Sequence, residues 1–209
     1  MSDSTGNQEK IKEIHPDWYR DVFPMYYLIL GSFPPHSKRW DYPFYYPNKI
    51  NRFWKILAEI AKVNLTVPIT SEKNAVDERF SIMQKLNTGV QNLGKTILRK
   101  GTSALDTDIE ITTFQDILAI LQKHPELKKI LLPGYSSKNS TAQSFLKYIN
   151  QTKEIEIIDS IPKTVNSGTF FQIRVDGRII DCVVLNSTST ASRISYDDVK
   201  AQFEKELNS

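Results

Sequence analysis

Apolar residues along the chain fall into two recurring patterns, short unbroken runs and helical stripes. Tyr26 to Leu30 (YYLIL) is an unbroken run that stops at Gly31, the pattern of a strand covered on both faces in a mostly parallel sheet. From Asn51 onward, Phe53, Ile56, Leu57, Ile60 and Ala61 recur at i, i+3, i+4, i+7 and i+8, one apolar stripe of a helix. Thr70 or Ser71 is placed to cap a second helix that buries Val76, Phe80 and Met83. Thr112 or Thr113 is placed to cap a third, with Phe114, Ile117, Leu118 and Leu121 on one face and His124-Pro125 closing it. Lys129 to Leu132 predicts a short buried strand, Ala142, Phe145, Leu146 and Ile149 a helix, and Ile155 to Ile158 a further strand. Phe170–Val175 and Arg178–Leu185 flank Asp176-Gly177, a two-residue hairpin signal, and Val199, Phe203 and Leu207 mark a last helix.

Strands alternating with helices in this order predict an α/β domain with a mainly parallel central sheet and one antiparallel hairpin near the C-terminus. Ligands on such sheets gather at the carboxyl ends of the strands. Three loops follow strands: the one from Ser32, the one from Pro133-Gly134 and the one from Ser187. They are expected to meet in one cleft where Gly31 to Ser37, Pro133 to Ser137 and Ser187 to Ser192 converge. The first loop, Ser32 to Asn51, is long for a strand-to-helix connection, a length that usually accompanies function. It carries Pro34, Pro35, Pro43 and Pro47 for stiffness and Lys38, Arg39 and Lys49 for charge, together with Trp40, Tyr42, Phe44, Tyr45 and Tyr46. Such aromatic density either pins the loop to the core or offers stacking surface to a ligand.

The 209 residues, 40% of them hydrophobic, suit one domain over 11–209 behind a polar, small-residue stretch at 1–10 that reads as a disordered tail. A formal charge of +3 permits nucleic-acid binding only through local clustering of Lys and Arg. One cysteine, Cys182, excludes an internal disulfide and a cysteine-based metal cluster and suits a reducing compartment. The sequence offers no apolar stretch long enough for a signal peptide or a membrane span. A cytoplasmic, monomeric protein without a metal or other cofactor is the expectation. Between Gly89 and Asp106, Lys95, Arg99 and Lys100 read on composition as the solvated end of a helix followed by a Gly turn. Ser187-Thr188-Ser189 reads as a turn or helix cap, or as a source of donors for a phosphate.

Gly31-Ser-Phe-Pro-Pro-His-Ser37, followed by the segment from Phe44 to Leu57 with Asn51-Arg52-Phe53-Trp54, resembles the first conserved segment of the uracil-DNA glycosylase superfamily. The mismatch-specific and hypoxanthine-DNA glycosylase branches are the most similar. Arg99 to Asp106 is similar to an Arg-x-Gly-Ser-Leu-Asp segment of the hypoxanthine branch, with an extra residue near the Gly. Ser187-Thr188-Ser189 resembles that branch's Pro-Ser-Thr-Ser-Pro-Ala, with Asn186 and Thr190 in place of the two prolines. With the stretch from Leu131 to Ile149 the resemblance spans roughly residues 26 to 193.

The resemblance implies a three-layer αβα fold, DNA carrying a damaged or mismatched base as partner, and hydrolysis of the N-glycosidic bond of a flipped base of uracil or hypoxanthine type. It implies a base pocket from Gly31, Ser32, Phe33, Pro34, Tyr45, Tyr46, Pro133 and Gly134. Phosphate contacts would come from Lys38, Arg39, Ser187, Thr188, Ser189 and Arg193. Asn51 corresponds to the Asn that the hypoxanthine branch is thought to use on water; read from the residues alone, it is equally an N-cap. Phe33 stands where the mismatch-specific branch carries a water-orienting Asn, and Pro133 where many relatives carry a base-reading Asn. These departures keep two other functions open: a nucleic-acid-binding member without chemistry, and a small-ligand or nucleotide hydrolase on the same fold.

Overall fold

The computed structural model describes residues 10–66, 69, 71–103 and 105–208. The tail expected over 1–10 lies outside the described residues except for Lys10, and Val67, Pro68, Thr70 and Ala104 lie outside them too. The first strand, β1, is Lys10–Ile14. The elements that follow are β2 Tyr27–Gly31, α1 Phe53–Ile60, α2 Glu72–Lys85, β3 Thr88–Asn92, β4 Gly94–Lys100 and β5 Ile109–Phe114. After them come α3 Ile117–Lys123, β6 Lys129–Pro133, α4 Thr141–Gln151, β7 Ile155–Ile157, β8 Phe170–Val175, β9 Arg178–Leu185 and α5 Tyr196–Leu207.

Six strands form a mixed, mostly parallel sheet in the order β3-β2-β6-β9-β8-β7. β3, β2, β6 and β9 run parallel, with Ile29 level with Val90 and Leu131, and Leu131 level with Val183. β8 pairs antiparallel with β9 across the turn at Asp176 and Gly177, both in the left-handed region that this tight turn demands. The four parallel strands therefore end on one edge, at Asn92, Gly31, Pro133 and Leu185. β2 and β6 are buried at every position, as their unbroken apolar runs require. The helical stripes are inward as well: Phe53, Ile56 and Leu57 of α1, Phe145 of α4 and Val199 and Phe203 of α5 are almost completely buried.

Two stretches differ from the reading of the sequence. Gly89 to Lys100 is not a helix end: it forms β3 and β4. β3 is buried throughout although three of its five residues are polar, because Thr88 Oγ1 donates to Leu86 O and Gln91 Oε1 accepts from Tyr45 Oη (3.0 Å) and Asn92 N (2.8 Å). Thr112 and Thr113 do not cap a helix but lie in β5, where Ile111 and Ile109 pair with Ile97 and Arg99 of β4. The cap of α3 is Asp116, which accepts from Ala119 N at 3.0 Å, and the cap of α2 is Ser71.

β1, β4 and β5 make a separate three-stranded antiparallel sheet. It is joined to the carboxyl edge of the large sheet by Leu93 N to Gly31 O (2.8 Å) and Gly94 N to Ser32 O (3.0 Å), while His15 N to Lys95 O (2.8 Å) extends the pairing of β1 with β4. Arg99 lies at the centre of that join with 1% of its surface exposed. Its Nε and Nη2 donate to the Glu13 carboxylate at 2.8 and 3.2 Å, while Nη2 also reaches Pro34 O (2.7 Å) and Nη1 reaches Ser103 O (2.6 Å). A buried guanidinium is tolerable only when its donors are matched in this way. Arg99→Met is expected to lower the unfolding free energy by about 3 kcal/mol or more, because it leaves Glu13 and two carbonyls without their donor. Lys100→Met, one residue on and exposed, is expected to stay within about 0.5 kcal/mol of wild type in the same urea titration.

Candidate active site

The carboxyl edge of the sheet opens into a cleft of about 1120 Å³. Gly31 to Pro35, Pro133 to Ser137 and Asn186 to Ile194 line it, so the three strand-end loops meet there. A fourth wall comes from Ser103, Leu105, Asp106 and Thr107, between β4 and β5, which the small sheet carries to the same edge.

The aromatic loop divides sharply. Tyr42, Phe44 and Tyr45 are core, each no more than 1% exposed. Tyr42 Oη donates to Tyr46 O (2.6 Å), Trp54 Nε1 to Tyr45 O (2.7 Å) and Trp40 Nε1 to Pro35 O (2.8 Å). Tyr45 is thus withdrawn from the expected base pocket, because its ring packs against Trp18 and Phe44 and its hydroxyl is spent on Gln91. Tyr46 turns the other way. Its backbone sits at φ 47°, an uncommon conformation for a bulky residue, and its ring stacks on Phe53 at 3.7 Å while lining the cleft. A Cβ on Gly31 would come within 2.3 Å of Asn92 Oδ1 and 3.5 Å of Tyr46 Oη, so this floor admits only glycine. Phe33 also lines the cleft, wedged among Gly94, His15 (ring centroids 5.5 Å apart) and the Arg99 guanidinium (5.8 Å from its ring centre).

Asn51 lines the cleft and is also an anchor for α1: its Oδ1 accepts from Phe53 N at 2.9 Å. Its NH2 makes no hydrogen bond among the described residues, which leaves that end for a ligand or water. Of the residues expected to meet phosphate, Arg39, Ser187, Thr188, Ser189 and Arg193 line the cleft, and Lys38, exposed on the short 3-10 turn before Trp40, does not. Arg39 and Arg193 are exposed and form no ion pair among the described residues. Ser187 Oγ and Ser189 Oγ each accept from a backbone N–H two residues on (3.2 Å), which fixes the hydroxyls and keeps their protons for a ligand. Thr188 is almost sealed, and Arg52 clamps the loop onto α1 through Arg52 N to Thr188 O (3.2 Å) and Nη1 to Ile194 O (2.7 Å).

Two residues of the site were not singled out from the sequence. Asn92, at the end of β3, was hidden in a stretch read as helix; its Nδ2 lies 3.0 Å from His15 Nε2. Burial pushes the His15 imidazole down to about 4, and a neutral ring with its proton on Nδ1, facing Pro16 O, accepts from Asn92 through Nε2. The second is Asp106, matched to the end of the Arg-x-Gly-Ser-Leu-Asp segment but given no role from the sequence. Its Oδ1 accepts from Ser32 Oγ at 2.8 Å, and burial pushes its carboxyl up while Ser32 and the Arg99 charge act in the opposite direction.

A solution NMR structure of a protein from Methanosarcina acetivorans, provisionally named a uracil DNA glycosylase, superposes with a TM-score of 0.55 at 19% identity, over 89% of this chain and 92% of that one. The two chains share a fold. At this identity the likeness speaks for architecture alone. No protein-family model and no curated protein sequence matches the chain. Among the described residues no helix is long and apolar enough to cross a membrane.

Proposed function

We propose that the protein is a DNA glycosylase that hydrolyses the N-glycosidic bond of a damaged or deaminated base extruded from the DNA helix. The observation that carries this reading is the joining, in one cleft on a uracil-DNA-glycosylase-like fold, of aromatic walls with two exposed arginines that have no ion-pair partner among the described residues. Extrusion of a base costs a few kcal/mol of lost stacking, which contact with Phe33 and Tyr46 offsets. Gly31, Ser32 and Pro34 on one side and Pro133 and Gly134 on the other enclose the base. Ser187 and Ser189 hold the flanking phosphate with their hydroxyl protons, and Arg39 and Arg193 supply positive charge along the backbone.

Asn51 serves this chemistry through its NH2, which donates to the attacking water, while its Oδ1 stays on Phe53 N. In the hydrolysis the bond between the sugar carbon and the base nitrogen breaks with its electron pair leaving on the base. Water then closes on the positively charged sugar. An amide orients that water but is not a base strong enough to deprotonate it.

Wild-type protein incubated with duplex oligonucleotides carrying one deoxyuridine or one deoxyinosine is expected to release the free base and leave an abasic site. Asn51→Asp keeps an acceptor for Phe53 N and removes the donor, so the single-turnover rate should fall about 100-fold or more with the unfolding midpoint nearly unchanged. Asn51→Ala should lose the rate and about 1 kcal/mol of stability together. A protein that binds these duplexes and releases no base would be a nucleic-acid-binding member without chemistry.

If the arginines meet phosphates, duplex affinity falls steeply with salt, since each neutralised phosphate releases counterions. Replacing Arg39 and Arg193 together should flatten the plot of log affinity against log salt by about 0.9 per lost contact. An unchanged slope would place the phosphate contacts elsewhere.

A further inference from the structure

Asp106 is the single Asp or Glu among the described residues that line the cleft. It stands on a short 3-10 turn, Asp106–Asp108, which opens directly into β5 and is fixed from both sides. On the cleft side Ser32 Oγ, immediately after β2, donates to Oδ1 at 2.8 Å. Behind it the turn is tied down through Ser103, whose carbonyl takes the Arg99 Nη1 proton, whose hydroxyl donates to Asp108 Oδ2 (2.7 Å), and whose Oγ accepts from Leu105 N (3.2 Å). The other carboxylate oxygen, Oδ2 of Asp106, has no donor among the described residues.

We propose that Asp106 is the general base of the cleft, taking the proton of the attacking water on Oδ2, and that Ser32 is the residue that positions it. This inference rests on the glycosidic hydrolysis proposed above and names the group that the Asn51 amide cannot replace. Once the base has departed with the glycosidic electron pair, the water oxygen forms the bond to the positively charged sugar carbon; the water proton passes to Asp106 and from there to solvent, and the departed base takes up a proton from solvent. Atoms and charge balance without any co-reactant.

The charged surroundings suit this role. The Arg99 guanidinium, paired with Glu13, favours the ionised carboxyl, as the Ser32 hydroxyl does. The Tyr46 phenol, whose ionisation burial and the Asp106 charge both oppose, remains neutral beside it. Asp108 is occupied with Ser103, and Arg39 and Arg193 stand across the same cleft. With burial prevailing over Ser32 and Arg99, the carboxyl titrates above the usual carboxylate range. A base must be ionised to act, so the excision rate should fall as pH drops through that raised value.

The test is the single-turnover rate on a duplex with one deoxyuridine or one deoxyinosine, measured from mildly acidic to mildly alkaline pH, with duplex binding and thermal midpoint in parallel. Asp106→Asn, which keeps an acceptor for Ser32, is expected to lose about 100-fold or more in rate at neutral pH and to lose the acid limb, with binding retained. Ser32→Ala removes a donor that favours the ionised carboxylate, so its acid limb should move to higher pH. An Asp106→Asn protein as fast as wild type, with the same acid limb, would overturn the assignment and leave the glycosylase reading standing. Should Asp106→Asn fail to fold, an acid limb unmoved in Ser32→Ala would overturn it alone. A wild-type protein that releases neither base would overturn the glycosylase reading and this assignment together.

Discussion

The buried guanidinium of Arg99 is the contact on which the geometry of the cleft depends. It holds β1 through Glu13, the loop after β2 through Pro34 O, and the turn that carries Asp106 through Ser103 O. These three pieces are far apart in sequence, and little hydrophobic burial joins them: β1 is exposed along almost its whole length. A charge taken out of water binds its partners strictly, because each lost hydrogen bond leaves a donor or acceptor with nothing to replace it. Arg99 therefore supplies register where apolar packing does not.

Behind that join the aromatic residues separate support from surface. Tyr42, Phe44 and Tyr45 bury the loop in the core, and the positive φ of Tyr46 reverses the chain so that the next ring faces the cleft. The local cost is offset by stacking on Phe53. The Phe53 backbone N–H in turn donates to Asn51 Oδ1, so one helix start fixes a stacking wall and a polar group at the same time. Asn51 and Tyr46 are thus both fixed by the start of α1.

How much of this was legible follows from the physics of each segment. β2 and β6 stood out because strands buried on both faces must be apolar throughout, and α1, α4 and α5 because an amphipathic helix repeats its apolar positions. β3 did not, since Gln91 and Asn92 are buried by hydrogen bonds to Tyr45 and His15, far away in the chain, a compensation that no local pattern records. Nor did β4, whose alternation is blurred by Lys95, Arg99 and Lys100; of these, Arg99 looks like solvated charge in sequence and is sealed in the structure. The loops of the cleft were legible from the strand ends. Which neighbour of a pair faces inward was not: Tyr45 and Tyr46, or Lys38 and Arg39, are separated only by backbone dihedrals. Asp106 was hidden for the same reason as Arg99, its meaning depending on Ser32, 74 residues earlier in the chain.

That the cleft receives a base drawn out of the DNA helix is most directly measured with 2-aminopurine placed next to a deoxyuridine in duplex DNA, since its fluorescence rises when the neighbouring base leaves the stack. The expected result is a rise at saturating protein that persists with Asp106→Asn, in which extrusion proceeds without cleavage. Binding with no change in fluorescence would contradict it, because the cleft would then hold DNA without taking a base.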